Sequence, residues 1–404
     1  MLSNQFGDLV GPNVSNEAEN FFQTDRDIEL QQKRAAKQAD TEAQQAGEPI
    51  QLPSKILSFV LVEANPLAAL QSPAEKDEDE IGNQADYAYV AESGHVARKV
   101  NLKTGKVAKI FKGHTGPVTS VSILYNKSGV DEFIVTGSWD KTLRKWDVKT
   151  KETIQTYTGH SDFIKRVIAT PAHIYSASSD STICKWDTTT GETLLVFKGH
   201  GRAVEDIVIS PDGKTLLSAS SDTTINKWNA ETGELLATWK EHLTSVYWLA
   251  VDWYEGVVWS ASADKTVRRW DLETGESDTS LTHPDFCKCV QPVGGALVAT
   301  GSRDETVRIW DVAREKCVNT FNGHFGEISA MHVRGTTLWT ASLDGTIRRW
   351  SLLDTPPAIA EVTSAKTPAI ENPKPADEKP AATGHSGLTE EEERELAELM
   401  SDED

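Results

Sequence analysis

The sequence predicts an all-β fold built from repeated units, and three observations lead to that prediction. A seven-residue motif that contains tryptophan recurs at intervals of 40 to 42 residues, and a period between about 20 and 50 residues indicates a repeat architecture. Short apolar alternations such as Val118, Val121 and Ile123 lie between the motifs, bounded by Gly, Asp and Ser turn signals. Helix-period stretches are absent from this central region.

The motif occurs six times, and its copies read KTLRKWD, STICKWD, TTINKWN, KTVRRWD, ETVRIWD and GTIRRWS. Each tryptophan is accompanied by an Asp six residues earlier, a Ser or Thr four residues before that Asp, and a His 20 to 26 residues before it. The six sets are His114, Thr136, Asp140 and Trp146; His160, Ser176, Asp180 and Trp186; His200, Ser218, Asp222 and Trp228; His242, Ser260, Asp264 and Trp270; His283, Thr300, Asp304 and Trp310; and His324, Thr340, Asp344 and Trp350.

These motifs resemble those of the WD-repeat β-propeller family, in which Gly-His and Trp-Asp signatures recur about every 40–45 residues and each repeat forms one four-stranded blade. The resemblance covers about 300 of the 404 residues. Glu241 and Thr282 replace the Gly before His, and Asn229 and Ser351 replace the Asp after Trp. The resemblance implies an all-β, seven-bladed WD-repeat β-propeller with six clear repeats, one degenerate N-terminal blade and polar tails.

The degenerate blade is expected at the front of the chain. The stretch at 88–106 aligns with the one at 258–276 and shares its Leu-x-Thr-Gly turn, with Gly94 and Val100 where Asp and Trp would stand. Residues 54–64 would then supply the inner strand of this first blade.

In the family, the ring closes when strands from both chain ends complete one blade, which removes an open edge that would promote aggregation. The segment near Ile50 and Leu52 is the first choice for the closing strand, and Ile359 to Val362 is the alternative.

Each complete repeat contains a hydroxyl residue, a His and an Asp, which are the residue types of a nucleophilic triad. Six copies argue against an active site, and in the family these side chains form a buried hydrogen-bond chain from Trp to hydroxyl to His to Asp. An unpaired buried polar group costs roughly 1–3 kcal/mol, so a connected network of this kind stabilises the blade. We therefore expect structural tetrads, no enzyme activity and no cofactor.

The four cysteines form no Cys-x-x-Cys pair, and the histidines outside the tetrads show no ligand spacing. Buried, reduced thiols are expected rather than disulfides, and no metal site is predicted. No run of 18 apolar residues and no signal-like start is present. The expectation is therefore a protein without a membrane span, located in the cytoplasm, the nucleus or both.

The formal net charge of −20 is concentrated outside the repeats. Residues 1–54 carry −5 and residues 354–404 carry −10, so the repeat region itself is nearly balanced. We predict four segments: a polar, partly helical or disordered extension at 1–48, the propeller at 49–353, a Pro/Ala-rich linker at 354–387, and an acidic amphipathic helix or tail at 388–404.

The last segment has the features of a short helix. Thr389 and Glu392 form a capping box, and Leu396, Leu399 and Met400 share one face. A helix of this length is marginal in water, so it could fold on the groove of a partner protein. A solubilising acidic tail is the alternative.

A propeller hosts many unrelated functions, and we interpret this one as a non-catalytic scaffold that binds partner proteins or peptides on its top face, within a multiprotein complex. An RNA or ribonucleoprotein component is an alternative, because most residues preceding the repeat tryptophans are basic and would form a belt: Lys145, Lys185, Lys227, Arg269 and Arg349. A ubiquitin-ligase substrate receptor is a third possibility, but the Arg that such members often carry three residues after Trp is missing, as at Lys149 and Thr189.

In the family, the top face at the channel mouth is lined by three positions per blade: the residue before the first aliphatic of the inner strand, the residue two later, and the residue before the turn Asp. Carried over, these positions predict two clusters of aromatic and cationic residues, a composition enriched in interface hot spots. Acidic or phosphorylated peptides are the expected ligands. The predicted partner-binding residues are Trp139, Phe163, Lys165, Tyr247, Phe286, Lys288, Arg303 and Leu343.

Overall fold

The computed structural model describes residues 44–62, 87–125, 132–294 and 296–352. Within these ranges, 28 strands form seven sheets of four antiparallel strands each. The prediction of an all-β, seven-bladed propeller is therefore confirmed. In this part of the chain, no helix has both the length and the apolar character needed to cross a membrane.

The blades follow the order of the chain from the inner strand outwards. The first comprises β2 (Ile56–Leu61), β3 (Tyr87–Glu92), β4 (Val96–Asn101) and β5 (Val107–Lys112). The second comprises β6 (Val118–Tyr125), β7 (Glu132–Ser138), β8 (Thr142–Asp147) and β9 (Thr153–Thr158), and the third β10 (Ile164–Ala169), β11 (His173–Ser178), β12 (Thr182–Asp187) and β13 (Thr193–Lys198). The fourth comprises β14 (Val204–Ile209), β15 (Thr215–Ser220), β16 (Ile225–Asn229) and β17 (Leu235–Trp239).

The remaining blades continue this order, with one change at the end. The fifth comprises β18 (Val246–Asp252), β19 (Val257–Ser262), β20 (Thr266–Asp271) and β21 (Ser277–Thr282). The sixth comprises β22 (Cys287–Gly294), β23 (Leu297–Ser302), β24 (Thr306–Asp311) and β25 (Lys316–Asn322). The seventh comprises β26 (Ile328–Arg334), β27 (Thr337–Ser342), β28 (Thr346–Ser351) and, from the start of the chain, β1 (Ile50–Gln51).

The ring is closed by β1, which pairs antiparallel with β28 through Ile50 opposite Ile347. Leu52 extends the pairing, since its amide donates to the carbonyl oxygen of Gly345 at 2.8 Å. This is the closing segment named first from the sequence. The alternative, Ile359 to Val362, lies outside the described residues.

The core lies between neighbouring blades, because each blade buries its apolar side chains against the next. Val135 and Leu143 of the second blade, for example, share one buried cluster with Ile164 and Ile174 of the third. The strands run from Ile50 to Ser351, whereas 1–43 and 353–404 lie outside the described residues. The predicted segment boundaries at both ends therefore remain predictions, as does the helix at 388–404.

Every inner strand carries a β-bulge near its start, which inserts one extra residue between the first two paired positions. A bulge redirects a side chain out of the normal alternation of a strand. In each blade the extra residue stands at the second of the three top-face positions, directly after the first residue of the inner strand. These residues are Leu57, Thr119, Lys165, Glu205, Tyr247, Lys288 and Ser329.

Candidate functional site: polar tetrads and the top face

The fifth blade shows how the repeated polar residues are connected. Trp270 Nε1 donates to Ser260 Oγ at 2.7 Å, and the same hydroxyl lies 2.7 Å from His242 Nε2. His242 Nδ1 lies 2.7 Å from Asp264 Oδ2. The chain of bonds thus ties the loop before the inner strand to the two central strands and to the turn between them.

The same three contacts recur in four other blades. Their His–Asp, His–hydroxyl and Trp–hydroxyl distances all lie between 2.7 and 3.1 Å. These tetrads are His114, Thr136, Asp140 and Trp146; His160, Ser176, Asp180 and Trp186; His200, Ser218, Asp222 and Trp228; and His324, Thr340, Asp344 and Trp350.

The hydroxyl residues of the tetrads are inaccessible to solvent. Ser260, for example, is completely buried, and its oxygen already accepts the indole N–H. A nucleophile must reach a substrate in order to attack it. The arrangement therefore stabilises the blade and does not resemble a working catalytic triad.

The tetrad aspartates are held in the ionised form. Burial by itself would raise the pKa of Asp264, but hydrogen bonds from His242, Thr266 and the amide of Leu243 outweigh it and hold that pKa well below its ordinary value. The same balance applies to four other aspartates, namely Asp140, Asp180, Asp222 and Asp344.

The sixth blade departs from the predicted pattern, and the expected link from His283 to Asp304 is wrong. His283 Nδ1 instead donates to the carbonyl oxygen of Leu281 at 3.2 Å, whereas Nε2 still lies 2.8 Å from Thr300 Oγ1. Asp304 accepts a hydrogen bond from Arg308 at 2.7 Å. Burial and the Arg308 charge lower the pKa of His283 to about 4, so this ring is neutral at pH 7.

On the top face, the second and third blades together present an exposed aromatic pair. Trp139 precedes the tight turn of its blade, and Phe163 precedes the inner strand of the next. Their rings stack with centroids 5.1 Å apart and an interplanar angle of 19°. Trp139 is 44% exposed and Phe163 39% exposed, so both rings remain available to a ligand.

The two bulged lysines of the top face are already paired within the chain. Lys165 Nζ lies 3.1 Å from Glu205 of the fourth blade. Lys288 Nζ lies 3.0 Å from Glu327 of the seventh blade and 3.8 Å from the ring centroid of Tyr247 in the fifth. These side chains therefore link neighbouring blades across the channel mouth.

The remaining predicted residues lie in the sixth and seventh blades. Arg303 Nε lies 3.0 Å from Asp285, and its guanidinium covers the ring of Phe286 at 4.2 Å. Leu343 is half-buried before the turn of the last blade. Lys165, Lys288 and Arg303, the three cations predicted to bind an acidic ligand, thus each contact a carboxylate of the chain itself.

Comparison with known proteins agrees with this architecture. The family model described as "WD40: WD domain, G-beta repeat" matches residues 105–147, 151–187, 191–229, 276–311 and 315–351. The protein belongs to the WD-repeat family.

Its relatives match over short segments. An uncharacterised WD repeat-containing protein of Schizosaccharomyces pombe is 35% identical over 120 residues, which are 30% of this chain and 29% of that protein. The cytoplasmic dynein 1 intermediate chain of Drosophila melanogaster is 30% identical over 95 residues, 23% of this chain and 13% of the relative. A periodic tryptophan protein 2 homolog of S. pombe is 41% identical over 54 residues, which are 13% of this chain and 6% of that protein. The matches thus span less than a third of each relative's length.

Three lysines of the basic belt of this WD-repeat protein connect neighbouring blades, whereas its two arginines contact carboxylates within their own blades. Lys145, Lys185 and Lys227 each donate from Nζ to a carbonyl oxygen of the next blade, at 3.1, 3.0 and 2.9 Å. Arg269 lies 3.7 Å from Asp278, and Arg349 pairs with Glu48. The five cations that would have to bind an RNA phosphate backbone are thus already engaged in contacts within the chain.

Sequence reasoning missed the carboxylates that neutralise the top-face cations. Glu205 and Glu327 stand at top-face positions of their own, one blade after Lys165 and Lys288 respectively. That one-blade offset in the sequence was a signal from which both ion pairs could have been predicted. Asp285, next to Phe286, carried no repeat signature, and only the position of Arg303 reveals its role.

Proposed function

We propose that the protein is a non-catalytic interaction scaffold whose top face binds a partner protein through the stacked pair Trp139 and Phe163. WD-repeat propellers generally serve as interaction scaffolds, and one relative is named as a chain of cytoplasmic dynein 1. The observation that carries the proposal is the exposure of two stacked rings from adjacent blades beside the channel mouth. Exposed tryptophan and other large aromatic residues are enriched among interface hot spots.

The ligand that fits best is an extended peptide segment that places an apolar or aromatic side chain on this pair. An acidic or phosphorylated segment would have to displace Glu205, Glu327 or Asp285 from the cations they contact. Breaking such contacts offsets much of the attraction gained. We therefore place the apolar contact at the centre of the interface and the ion pairs at its rim.

The test is a double substitution, Trp139→Ala with Phe163→Ala, in the full chain. Partners captured by the unmodified protein are identified by quantitative mass spectrometry, and the affinity of each is then measured with purified proteins. Truncation of a hot spot costs about 2 kcal/mol or more, so we expect at least a roughly thirtyfold loss of affinity.

The matched control is Tyr254→Ala. Tyr254 is 98% exposed in the hairpin between β18 and β19, at the end of β18 away from the top face. Its removal should leave binding unchanged. Undiminished affinity of every partner for the double variant, with an unaltered melting temperature, would overturn this assignment of the site.

A further inference from the structure

The third and the sixth blades carry the same dipeptide before their inner strands. Asp162 and Phe163 stand directly before β10. Asp285 and Phe286 stand directly before β22. In both blades Oδ1 of the aspartate accepts the amide of the phenylalanine that follows, at 2.8 Å in the third blade and 2.9 Å in the sixth. The two carboxylates are therefore held in the same way at equivalent places on the top face.

The sixth blade completes this arrangement with an arginine of its own. Arg303 Nε donates to Oδ2 of Asp285 at 3.0 Å, and the guanidinium carbon lies 4.2 Å from the ring centroid of Phe286. A planar guanidinium can pair with a carboxylate and stack on an aromatic ring at the same time. The second carboxylate oxygen and the ring are thus both engaged within the chain.

The third blade lacks that arginine. Ser179 stands at the position of Arg303, and the amides of both residues donate to the carbonyl oxygen of the phenylalanine in their blade, at 2.8 and 2.9 Å. The serine side chain is too short to cover the ring. Trp139 stacks on one face of Phe163, whose side chain is still 39% exposed. Within the described part of the chain, no cation pairs with Asp162 or lies over Phe163.

The lysines around Asp162 are engaged with other groups. Lys141 Nζ donates to the carbonyl oxygen of Ser161 at 2.7 Å. Lys165 pairs with Glu205 of the fourth blade. The carboxylate of Asp162 is therefore open to a cation from outside the chain.

We propose that Asp162 and Phe163 form an arginine subsite of the top face, filled by an arginine of the partner segment that contacts Trp139 and Phe163. This subsite rests on the proposed function of the aromatic pair and adds a charged contact beside the apolar one. The contact of Arg303 in the sixth blade is its pattern, with a guanidinium N–H on the carboxylate and the guanidinium plane on the ring. Lysine fits less well, because its ammonium group is a point charge without a plane that can stack.

The test uses fluorescein-labelled peptides with Leu-Xaa or Xaa-Leu at the centre and Gly-Ser spacers on both sides, where Xaa is arginine, lysine or citrulline. Citrulline has the shape of arginine without its charge. Fluorescence polarisation with the full chain measures each affinity. The arginine peptide should bind about tenfold more tightly than the citrulline peptide, since it gains an ion pair and a cation–π contact. The lysine peptide should lie between them.

Two substitutions act on the subsite without touching the aromatic pair. Asp162→Asn keeps the acceptor for the Phe163 amide but removes the charge, so the arginine and citrulline peptides should bind equally. Ser179→Arg supplies the third blade with the arginine that the sixth already has, and it should weaken binding of the arginine peptide about tenfold.

The matched control is Glu255→Gln, which removes one negative charge from the exposed hairpin between β18 and β19, away from the top face. It should leave the preference for arginine unchanged. A preference that fell equally in this control would come from the net charge of the protein and would contradict the subsite. Melting temperatures identify any variant that fails to fold.

Equal affinities of the arginine and citrulline peptides would overturn the proposal. So would failure of the arginine peptide to bind at millimolar concentration, or a preference for arginine that persists in Asp162→Asn. The variant Trp139→Ala with Phe163→Ala separates these results from the proposed function. If it loses the captured partners although the peptides show no preference for arginine, the aromatic pair remains the binding site and only the arginine subsite is wrong.

Discussion

A single carboxylate, that of Asp264, satisfies four donors at the turn between β19 and β20. Oδ2 accepts from His242 Nδ1 and from the amide of Leu243, and Oδ1 accepts from the amide and the hydroxyl of Thr266. Donors arranged around one ion offset the free energy lost when its charge leaves water. The residue therefore acts as a connector of three chain segments.

Asp264→Ala should lower the free energy of unfolding by about 2–4 kcal/mol, because buried His242 loses its acceptor and the turn loses its cap. Asp304→Ala is the matched control, since His283 donates to Leu281 instead, and its cost should be about half as large. Chemical denaturation followed by fluorescence measures both values. Equal losses would show that the contact between His and Asp contributes little.

Two histidines at the same repeat position should titrate in opposite directions. Burial alone lowers the pKa of His160, but contacts with Asp180 and Cys184 outweigh it and raise that pKa to about 9. The pKa of His283 falls to about 4. At pH 7 we therefore expect an imidazolium at His160 and a neutral ring at His283, which NMR of the imidazole carbons can distinguish.

These shifts also predict how stability depends on pH. The ordinary pKa of both histidines is 6.5. His160 stabilises the fold below pH 6.5, and its contribution is lost as the pH rises towards about 9. His283 stabilises the fold above pH 6.5, and its contribution is lost as the pH falls towards about 4. His160→Gln should flatten the alkaline limb of the melting temperature, and His283→Gln the acidic limb. Identical profiles for both variants would contradict the assignment.

At the scale of elements, neighbouring blades are joined by long side chains that cross from one sheet to the next. Lys185 on β12 is buried, and its Nζ donates to the carbonyl oxygen of Ala230, which follows β16 in the next blade. Its methylene stem packs between the sheets while the charged end caps an otherwise unpaired group. The three lysines of the basic belt thus connect neighbouring blades.

Lys185→Met keeps the apolar stem but removes the donor, so the buried carbonyl of Ala230 loses its partner. The expected loss of stability is about 1–3 kcal/mol. Arg269→Met is the matched control, because its contact with Asp278 is longer and more exposed, and surface pairs contribute about 0–1 kcal/mol. Thermal and chemical denaturation compare the two. A larger effect at Arg269 would refute the interpretation of the belt.

At the scale of the whole molecule, stability depends on closure of the ring. β1 contributes only Ile50 and Gln51 to the seventh sheet, yet without them β28 would be an open edge. The Ile50 side chain is buried and lies where a Cβ at Gly105 of the first blade would touch it, 3.6 Å from Cγ2. This residue therefore contacts the first and the last blade together.

Ile50→Asp should destabilise the whole propeller by about 3–5 kcal/mol, because it removes apolar burial and introduces an unpaired charge at the closure. Gln51→Ala, at the exposed neighbouring position, should change stability by less than about 1 kcal/mol. Differential scanning calorimetry measures both. If the Ile50 variant melted like the unmodified protein, β1 could not be the strand that closes the ring.

The sequence by itself determined the number of blades and most of the tetrads. Each depends on residues within one repeat, and a strand, its turn and the next strand have a fixed register, so spacing along the chain translates directly into contact. Trp270 reaches Ser260, for example, because they lie on adjacent strands of one hairpin. The closing segment near Ile50 and Leu52 was the first of two choices, because family members close the ring with strands from both chain ends and so cover an open edge.

Tertiary structure alone decided which charges are neutralised and which surfaces stay open. Lys165 pairs with Glu205 across a blade boundary, and Lys185 donates to the backbone of Ala230. Arg308 donates to Asp304, the acceptor that was expected for His283. A one-blade offset relates Lys165 to Glu205 and Lys185 to Ala230, but repeat spacing does not say which of several nearby partners a side chain contacts. These choices depend on how far a particular side chain extends and which neighbour it meets once the sheets are packed, and that competition between nearby partners is settled only in the folded ring.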